Sequence, residues 1–286
     1  MNPAGGLARR AWLKKQLQQK FPDAAIVLLD SGNFSDNPSP EGDAKTTALL
    51  EGMGRLGYSA AGVAERDLVL GYDELAKKTH GVPFDFVSTN LVRKGSSDPV
   101  FKPYVIVEAR RGGGKPPVRV GVMSVVRYNP VFLKAGPAGS NLAIAQPAER
   151  VRRYLPEVRK ASDVVVLLGE LSGFDARQVV RDVPGIDFVF GAYGGTASGN
   201  EEVEGSTRIV YTGNQGKRIG ETRAFLDAQN RVVSEESYLY FLTGRYPDDP
   251  DMLHWVQAAL AKAKPASAGA APPSAGAPAS QGGTGP

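Results

Sequence analysis

The chain reads as an α/β protein, with helices packed on a mixed sheet or on two stacked sheets. Three observations predict this. Short apolar runs of strand length recur along the chain, such as AAIVLLD at 24–30 and DVVVLL at 163–168. Stretches with apolar residues at helical spacing alternate with them. Two hairpin patterns are interspersed among these units. The chain has 286 residues, 42% hydrophobic and 22% charged, which is enough to bury a sizeable core.

Residues 7–21 form the first predicted helix, where Leu7, Ala11, Leu13, Leu17 and Phe21 roughly follow the 3.6-residue period with Arg and Lys between them. Residues 24–30 form a buried, parallel-type strand ending in Asp30 and then a Gly two residues on. A second helix over 43–56 stops at Gly57. A short strand at 60–63, a helix at 67–78 and a strand at 84–89 follow. The Val-rich runs 102–109 and 117–126 flank Arg-Gly-Gly-Gly-Lys and predict an antiparallel hairpin. A basic helix spans 147–161, with Pro147 near its start and Pro156 expected to bend it. Strands at 163–168, 187–191 and 208–212 come next, with a helix at 174–183 between the first two. A second hairpin, 219–226 with 231–240, turns at 228–230, and a last helix spans 248–262. From Lys264 onward Ala, Pro, Gly and Ser dominate. Such a segment cannot bury enough apolar surface to offset its ordering entropy. The expected organisation is a folded domain over 1–263 and a disordered tail or linker over 264–286.

Composition removes several function classes. With no Cys, thiolate metal sites, disulfides and a Cys nucleophile are excluded. A net charge of +4 is too small and too scattered to argue for nucleic acid. No apolar run approaches the roughly 18 residues of a membrane span. No secretory signal stands before Arg9-Arg10. The only two His are His80 and His254. His80 closes a Lys-Lys-Thr-His-Gly helix end, where a cation is favourable. His254 sits beside Trp255 in the last helix, and packing or exposure explains it equally well.

Seven fragments, in order over residues 5–226, carry a resemblance. They are Gly5-Gly6-Leu7-Ala8-Arg9-Arg10; Leu28-Leu29-Asp30-Ser31-Gly32-Asn33; Leu56-Gly57-Tyr58-Ser59-Ala60; Ser88-Thr89-Asn90-Leu91 with Lys102-Pro103-Tyr104; Arg119-Val120-Gly121-Val122-Met123; the strand 163–168 running on to Gly169-Glu170; and Ile186-Asp187-Phe188-Val189-Phe190-Gly191. Together they resemble the N-terminal domain of the 5′-nucleotidase branch of the calcineurin-like metallophosphoesterases. The resemblance implies a sandwich of two mixed β-sheets flanked by helices. It also implies a two-metal centre that activates water and neutralises phosphoryl oxygens.

Matched residue by residue, that centre is changed throughout. The bridging carboxylate falls on Asn33. The Asn-His pair of the Gly-Asn-His-Glu motif falls on Val63 and Ala64, and Ala64 takes the place of the catalytic His. The ligand His after the long apolar strand falls on Glu170. The two His of Gly-His-x-His fall on Ala192 and Gly194. The first ligand motif, Asp-x-His, would precede Gly5 and is not in the chain, so the first strand is expected to be missing with it. Two His and no Cys cannot assemble the imidazole-rich centre of the family.

Carboxylates offer another route to a metal. Asp30, Asp36, Glu65, Asp67, Glu170 and Asp175 would lie near C-terminal strand ends, where α/β sites form, and could supply an all-oxygen Mg²⁺ or Ca²⁺ site. Asp30, Glu65 and Glu170 are the candidates for such a rebuilt site. Against this, Asp67 and Asp175 suit helix starts, and the others suit solvent. The Gly-rich segment 191–195 with 198–200 could cradle an anion, but no P-loop or Gly-x-Gly-x-x-Gly pattern supports it. No Gly-x-Ser-x-Gly is present for a Ser hydrolase. Arg150, Arg152, Arg153, Arg159 and Lys160 read as a solvated helix face rather than a nucleic-acid or acidic-partner surface.

The expectation is therefore a degenerate 5′-nucleotidase-like domain without hydrolase activity or cofactor, serving as a binding or scaffolding module. Its partner would be an unidentified protein or a domain fused through the tail. The alternatives are an active phosphoesterase using a divalent metal on rebuilt carboxylates, and an anion or nucleotide binder in the old cleft. The resemblance favours the periplasm or cell envelope. It implies no substrate, because nothing here matches the family's C-terminal nucleotide-specificity domain.

Overall fold

The structure is a computed structural model, and it describes residues 4–129, 141–191, 202–213 and 215–263. In chain order the elements are α1 (Leu7–Lys20), β1 (Leu28–Asp30), α2 (Pro40–Leu56), β2 (Tyr58–Gly62), a 3₁₀ turn (Glu65–Leu68), α3 (Tyr72–Thr79), β3 (Asp85–Val87), β4 (Leu91–Arg93), β5 (Tyr104–Ala109) and β6 (Val118–Val125). There follow β7 (Leu142–Ile144), α4 (Pro147–Ala161), β8 (Val164–Gly169), α5 (Gly173–Asp182), β9 (Phe188–Gly191), β10 (Glu202–Glu204), β11 (Thr207–Tyr211), β12 (Arg218–Leu226), β13 (Val232–Phe241) and α6 (Pro250–Ala263).

Four layers stack. Helices α1, α2 and α6 pack on a three-stranded parallel sheet, order β1-β2-β3, through Leu7, Ala11, Leu50, Met53, Phe86 and Met252. That sheet faces a six-stranded sheet, order β10-β11-β9-β8-β6-β5. Ala60 and Val87 of the small sheet meet Val120, Val122, Val166 and Leu168 of the large one. Helices α4 and α5 cover the far side through Val151, Val158, Val179 and Val180. The expected sandwich of two sheets flanked by helices is thus what the chain forms. The small sheet is parallel throughout, and the large one is mixed because its two edge strands, β5 and β10, run antiparallel.

Local chemistry places the boundaries. Ser39 caps α2, its hydroxyl accepting from the Gly42 N–H at 3.0 Å, so the helix starts three residues earlier than its apolar period suggests. It ends at Gly57, φ 74°, in the left-handed region. The helix expected over 67–78 is two pieces, a 3₁₀ turn and α3, separated by Gly71 at φ 88°. Pro156 lies within α4, which continues past it to Ala161.

Because β1, β2, β6, β8 and β9 all run the same way in their sheets, their C-terminal ends open on one side of the sandwich. Just beyond those ends Asn33, Glu65, Arg127 and Glu170 bring the loops of the two sheets together. Residues 264–286, expected as a tail, lie outside the described residues, and among the described residues no helix is long and apolar enough to cross a membrane.

Candidate functional site

The chain leaves β1 through a tight bend at Gly32 and Asn33, with φ 98° and 61°. Glycine meets no penalty there, and Asn is among the few other residues that adopt it readily. A Cβ at Gly32 would stand 2.9 Å from the Ala64 Cβ, so the bend rests directly on the loop after β2. Its geometry aims the Asn33 side chain across the sandwich. The Asn33 Nδ2 donates to Glu170 Oε1 at 3.0 Å, and the Arg66 N–H donates to Asn33 Oδ1 at 3.0 Å.

Glu170 follows β8 and is buried, 6% exposed. Its second oxygen, Oε2, accepts from the Glu65 N–H at 3.1 Å. The Glu65 carboxylate faces Arg127, just past β6, whose Nη2 lies 3.2 Å from Oε2 and 3.3 Å from Oε1. Asp67 stands behind the loops. Its carboxylate accepts from the Asn33 N–H at 2.8 Å, the Ser35 N–H at 2.9 Å and the Ala64 N–H at 3.0 Å. Burial pushes Asp67 up to about 6, although the three N–H bonds pull the other way. Ser31 adds a further tie, its hydroxyl donating to the Phe190 carbonyl at 2.8 Å.

The structure therefore brings together three of the residues singled out from the sequence, Asn33, Glu65 and Glu170. Val63 and Ala64 are fully buried beside them, as core. Asp30 has a different set of neighbours. It accepts from the Gly32 N–H at 2.9 Å, and it is held up by burial and down by the nearby Arg10 guanidinium. Arg10 in turn donates to the Tyr58 hydroxyl at 3.1 Å. Asp36 is exposed and accepts from the Asn37 N–H. Asp175 is in the first turn of α5, bonded to the N-cap Ser172. Ala192 and Gly194, and the Gly-rich segment they belong to, lie outside the described residues apart from Gly191. His80 and His254 are exposed, at the end of α3 and on α6.

Two arginines depart from what the sequence leads one to expect. Arg150 is not part of a solvated face: it is 5% exposed and donates to the carbonyls of Thr89 and Ser97 and to the Tyr154 hydroxyl. The three carbonyl and hydroxyl acceptors compensate a burial that hydrophobic spacing alone argues against. Arg127 belongs to no motif, and a lone Arg after an apolar strand gives no signal of a carboxylate partner.

Among the described residues, no group of three or more His, Cys, Asp or Glu is placed to hold a metal ion. At the matched positions Asn33 is neutral, Val63 and Ala64 offer no donor, and both Glu170 oxygens already accept hydrogen bonds. This donor set does not fit a pair of transition-metal ions.

No family model matches the chain. Curated relatives do. A 2',3'-cyclic-nucleotide 2'-phosphodiesterase/3'-nucleotidase of Yersinia enterocolitica is 25% identical over 210 residues, 64% of this chain and 31% of that protein. The enzyme of the same name from Haemophilus influenzae is 22% identical over 247 residues, 80% of this chain and 38% of that protein. The chain thus spans roughly a third of the length of these relatives. Among solved structures, the sulfate thiohydrolase SoxB of Thermus thermophilus superposes over 91% of this chain and 47% of its own, with a TM-score of 0.78 at 18% identity. The calcineurin-like phosphoesterase YfkN of Bacillus subtilis superposes over 91% of this chain and 90% of its own, with a TM-score of 0.75 at 19% identity. The fold is that of the calcineurin-like metallophosphoesterases, as the sequence resemblance implied.

Proposed function

We propose that this metallophosphoesterase-fold chain is a catalytically silent, 5′-nucleotidase-like domain that serves as a binding or scaffolding module. The observation that carries the reading is the direct hydrogen bond between Asn33 and Glu170. Both residues match metal-ligand positions of the family, and here they bind each other. A neutral amide and a carboxylate form a stable pair without an ion between them, whereas two carboxylates at this distance would repel unless they shared a proton. In this reading, side chains at positions matched to the family's metal ligands tie the loops of the two sheets to each other.

The reading is tested on the full chain with Mn²⁺, Zn²⁺, Mg²⁺ and Ca²⁺, measuring bound metal and hydrolysis of p-nitrophenyl phosphate. The expected result is neither stoichiometric metal nor turnover. Stoichiometric metal with turnover that disappears in Glu170→Ala would overturn it in favour of a rebuilt carboxylate site. A thermal shift with nucleotides and no turnover would narrow the module to a nucleotide binder in the old cleft.

The partner belongs to this proposal as well: an unidentified protein, or a domain joined through residues 264–286. So does the compartment, the periplasm or cell envelope, which rests on resemblance. Cell fractionation with an antibody to the chain tests it, and recovery with cytosolic markers alone would overturn it.

A further inference from the structure

A cavity of about 400 Å³ lies at the end of the sandwich opposite the Asn33–Glu170 contact. The last turns of α1, the segment leading into β1, the start of β2 and the end of β5 enclose it. Since β5 runs antiparallel to β6, its last residues stand beside the N-terminal ends of the parallel strands, away from the old cleft. A volume of this order falls within the ~300–1,000 Å³ typical of small-molecule sites.

Two cations line it. Lys14, half-buried on α1, spends one donor on the Leu56 carbonyl at 2.6 Å, the last carbonyl of α2, and forms no ion pair among the described residues. Burial lowers its ammonium, as expected where no acid stands opposite. Arg110, exposed at the end of β5, forms no ion pair or side-chain hydrogen bond among the described residues. Glu108 is the one acid of the lining, leaving an excess positive charge. Ile26 and Val27 supply an apolar wall, with Phe21 at the α1 side.

We infer that this cavity binds a small amphipathic carboxylate, its anionic head between Lys14 and Arg110 and its aliphatic body on Ile26 and Val27. The head completes the donors Lys14 has left and gives Arg110 a planar acceptor that its fork suits. The body replaces water on the apolar wall. The site is separate from the old cleft and does not rest on the catalytic silence proposed above.

The test uses the full chain at pH 7.5 with hexanoate, hexylamine and inorganic phosphate as probes, by calorimetric titration and by methyl spectra of Ile- and Val-labelled protein. Hexanoate is expected to bind saturably and to shift the Ile26 and Val27 methyl signals, while hexylamine does not bind. Arg110→Ala is expected to weaken hexanoate by about tenfold, the effect of losing one charge-assisted hydrogen-bonding partner. Lys14→Met should weaken it at least as much. Because Lys14→Met also loses the Leu56 contact and could unfold the chain, the variant of the exposed Arg110 is the deciding one. Absence of saturable hexanoate binding, equal binding of hexylamine, tighter binding of phosphate than of hexanoate, or unchanged affinity in Arg110→Ala would each overturn the inference.

Discussion

Asn33 and Glu170, 137 residues apart in the chain, join across 3.0 Å and so link the end of β1 in one sheet to the end of β8 in the other. The Glu65 N–H completes the junction from the loop after β2. This junction is thereby a structural seam between the two sheets, and its energetics can be probed.

Replacing Glu170 with Ala leaves the Asn33 amide and the Glu65 N–H without their acceptor in a buried setting. A loss of about 1–3 kcal/mol of unfolding free energy is expected, measured by urea denaturation. Glu170→Gln retains one acceptor oxygen and is expected to lose less.

Asn33→Asp keeps the acceptor for the Arg66 N–H and tolerates the same bend, but sets a second carboxylate against Glu170. At neutral pH this variant is expected to be less stable than the parent by about 1–2 kcal/mol. Like charges raise the pair's affinity for a proton, so the deficit should shrink as pH falls from 7 to 5. A deficit independent of pH in denaturation curves would contradict the account.

Asp67 titrates at about 6 in the fold against 3.8 when free. The folded state therefore binds its proton more tightly than the unfolded state. Stability from this group falls as pH rises from about 4 through about 6, and is regained on acidification. The gap corresponds to about 3 kcal/mol at most. The difference between parent and Asp67→Asn, followed by denaturation from pH 4.5 to 7.5, should carry this slope. The variant is also expected to be weaker at every pH in that range, since an amide has one acceptor oxygen for the three N–H groups that converge there.

Arg150→Met removes the donor to the carbonyls of Thr89 and Ser97 while keeping most of the apolar stem. A loss of about 2–4 kcal/mol is expected by denaturation, with Arg150→Lys failing to restore it because a point donor cannot span acceptors a guanidinium reaches together. Arg152→Met, on the exposed side of the same helix, should change stability by less than about 0.5 kcal/mol.

Much of the architecture was legible because burial writes itself into spacing. The runs 163–168 and 117–126 are mostly apolar, and they become β8 and β6 in the interior of the large sheet, buried along almost their whole length. Both hairpins were readable from their turns. The three-residue strands β4, β7 and β10 were not, since a strand that short has no period, and β4 pairs with β7 some 50 residues downstream. The strand expected at 24–30 keeps only its last three residues, 28–30. Of the site, Asn33, Glu65 and Glu170 were legible because each stands at a strand end in a recognisable fragment. Asp30 shares that placement yet turns to Gly32 and Arg10, which no linear pattern foretells. Arg127 and Arg150 owe their positions to acceptors contributed by distant loops.

The meeting of α1 with α6 has a temporal consequence. The Asp249 N–H donates to the Ala8 carbonyl at 3.1 Å, Lys15 pairs with Asp249, and the Gly5 N–H reaches the Leu242 carbonyl at 2.7 Å. Leu7, Ala8 and Ala11 share one apolar cluster with Met252. During synthesis, α1 leaves the ribosome more than two hundred residues before α6, which completes the surface it docks on together with the earlier α2. Until then the part of its apolar stripe that Met252 covers must wait uncovered, so this helix is where a chaperone would find the nascent chain and where a stalled translation product would aggregate.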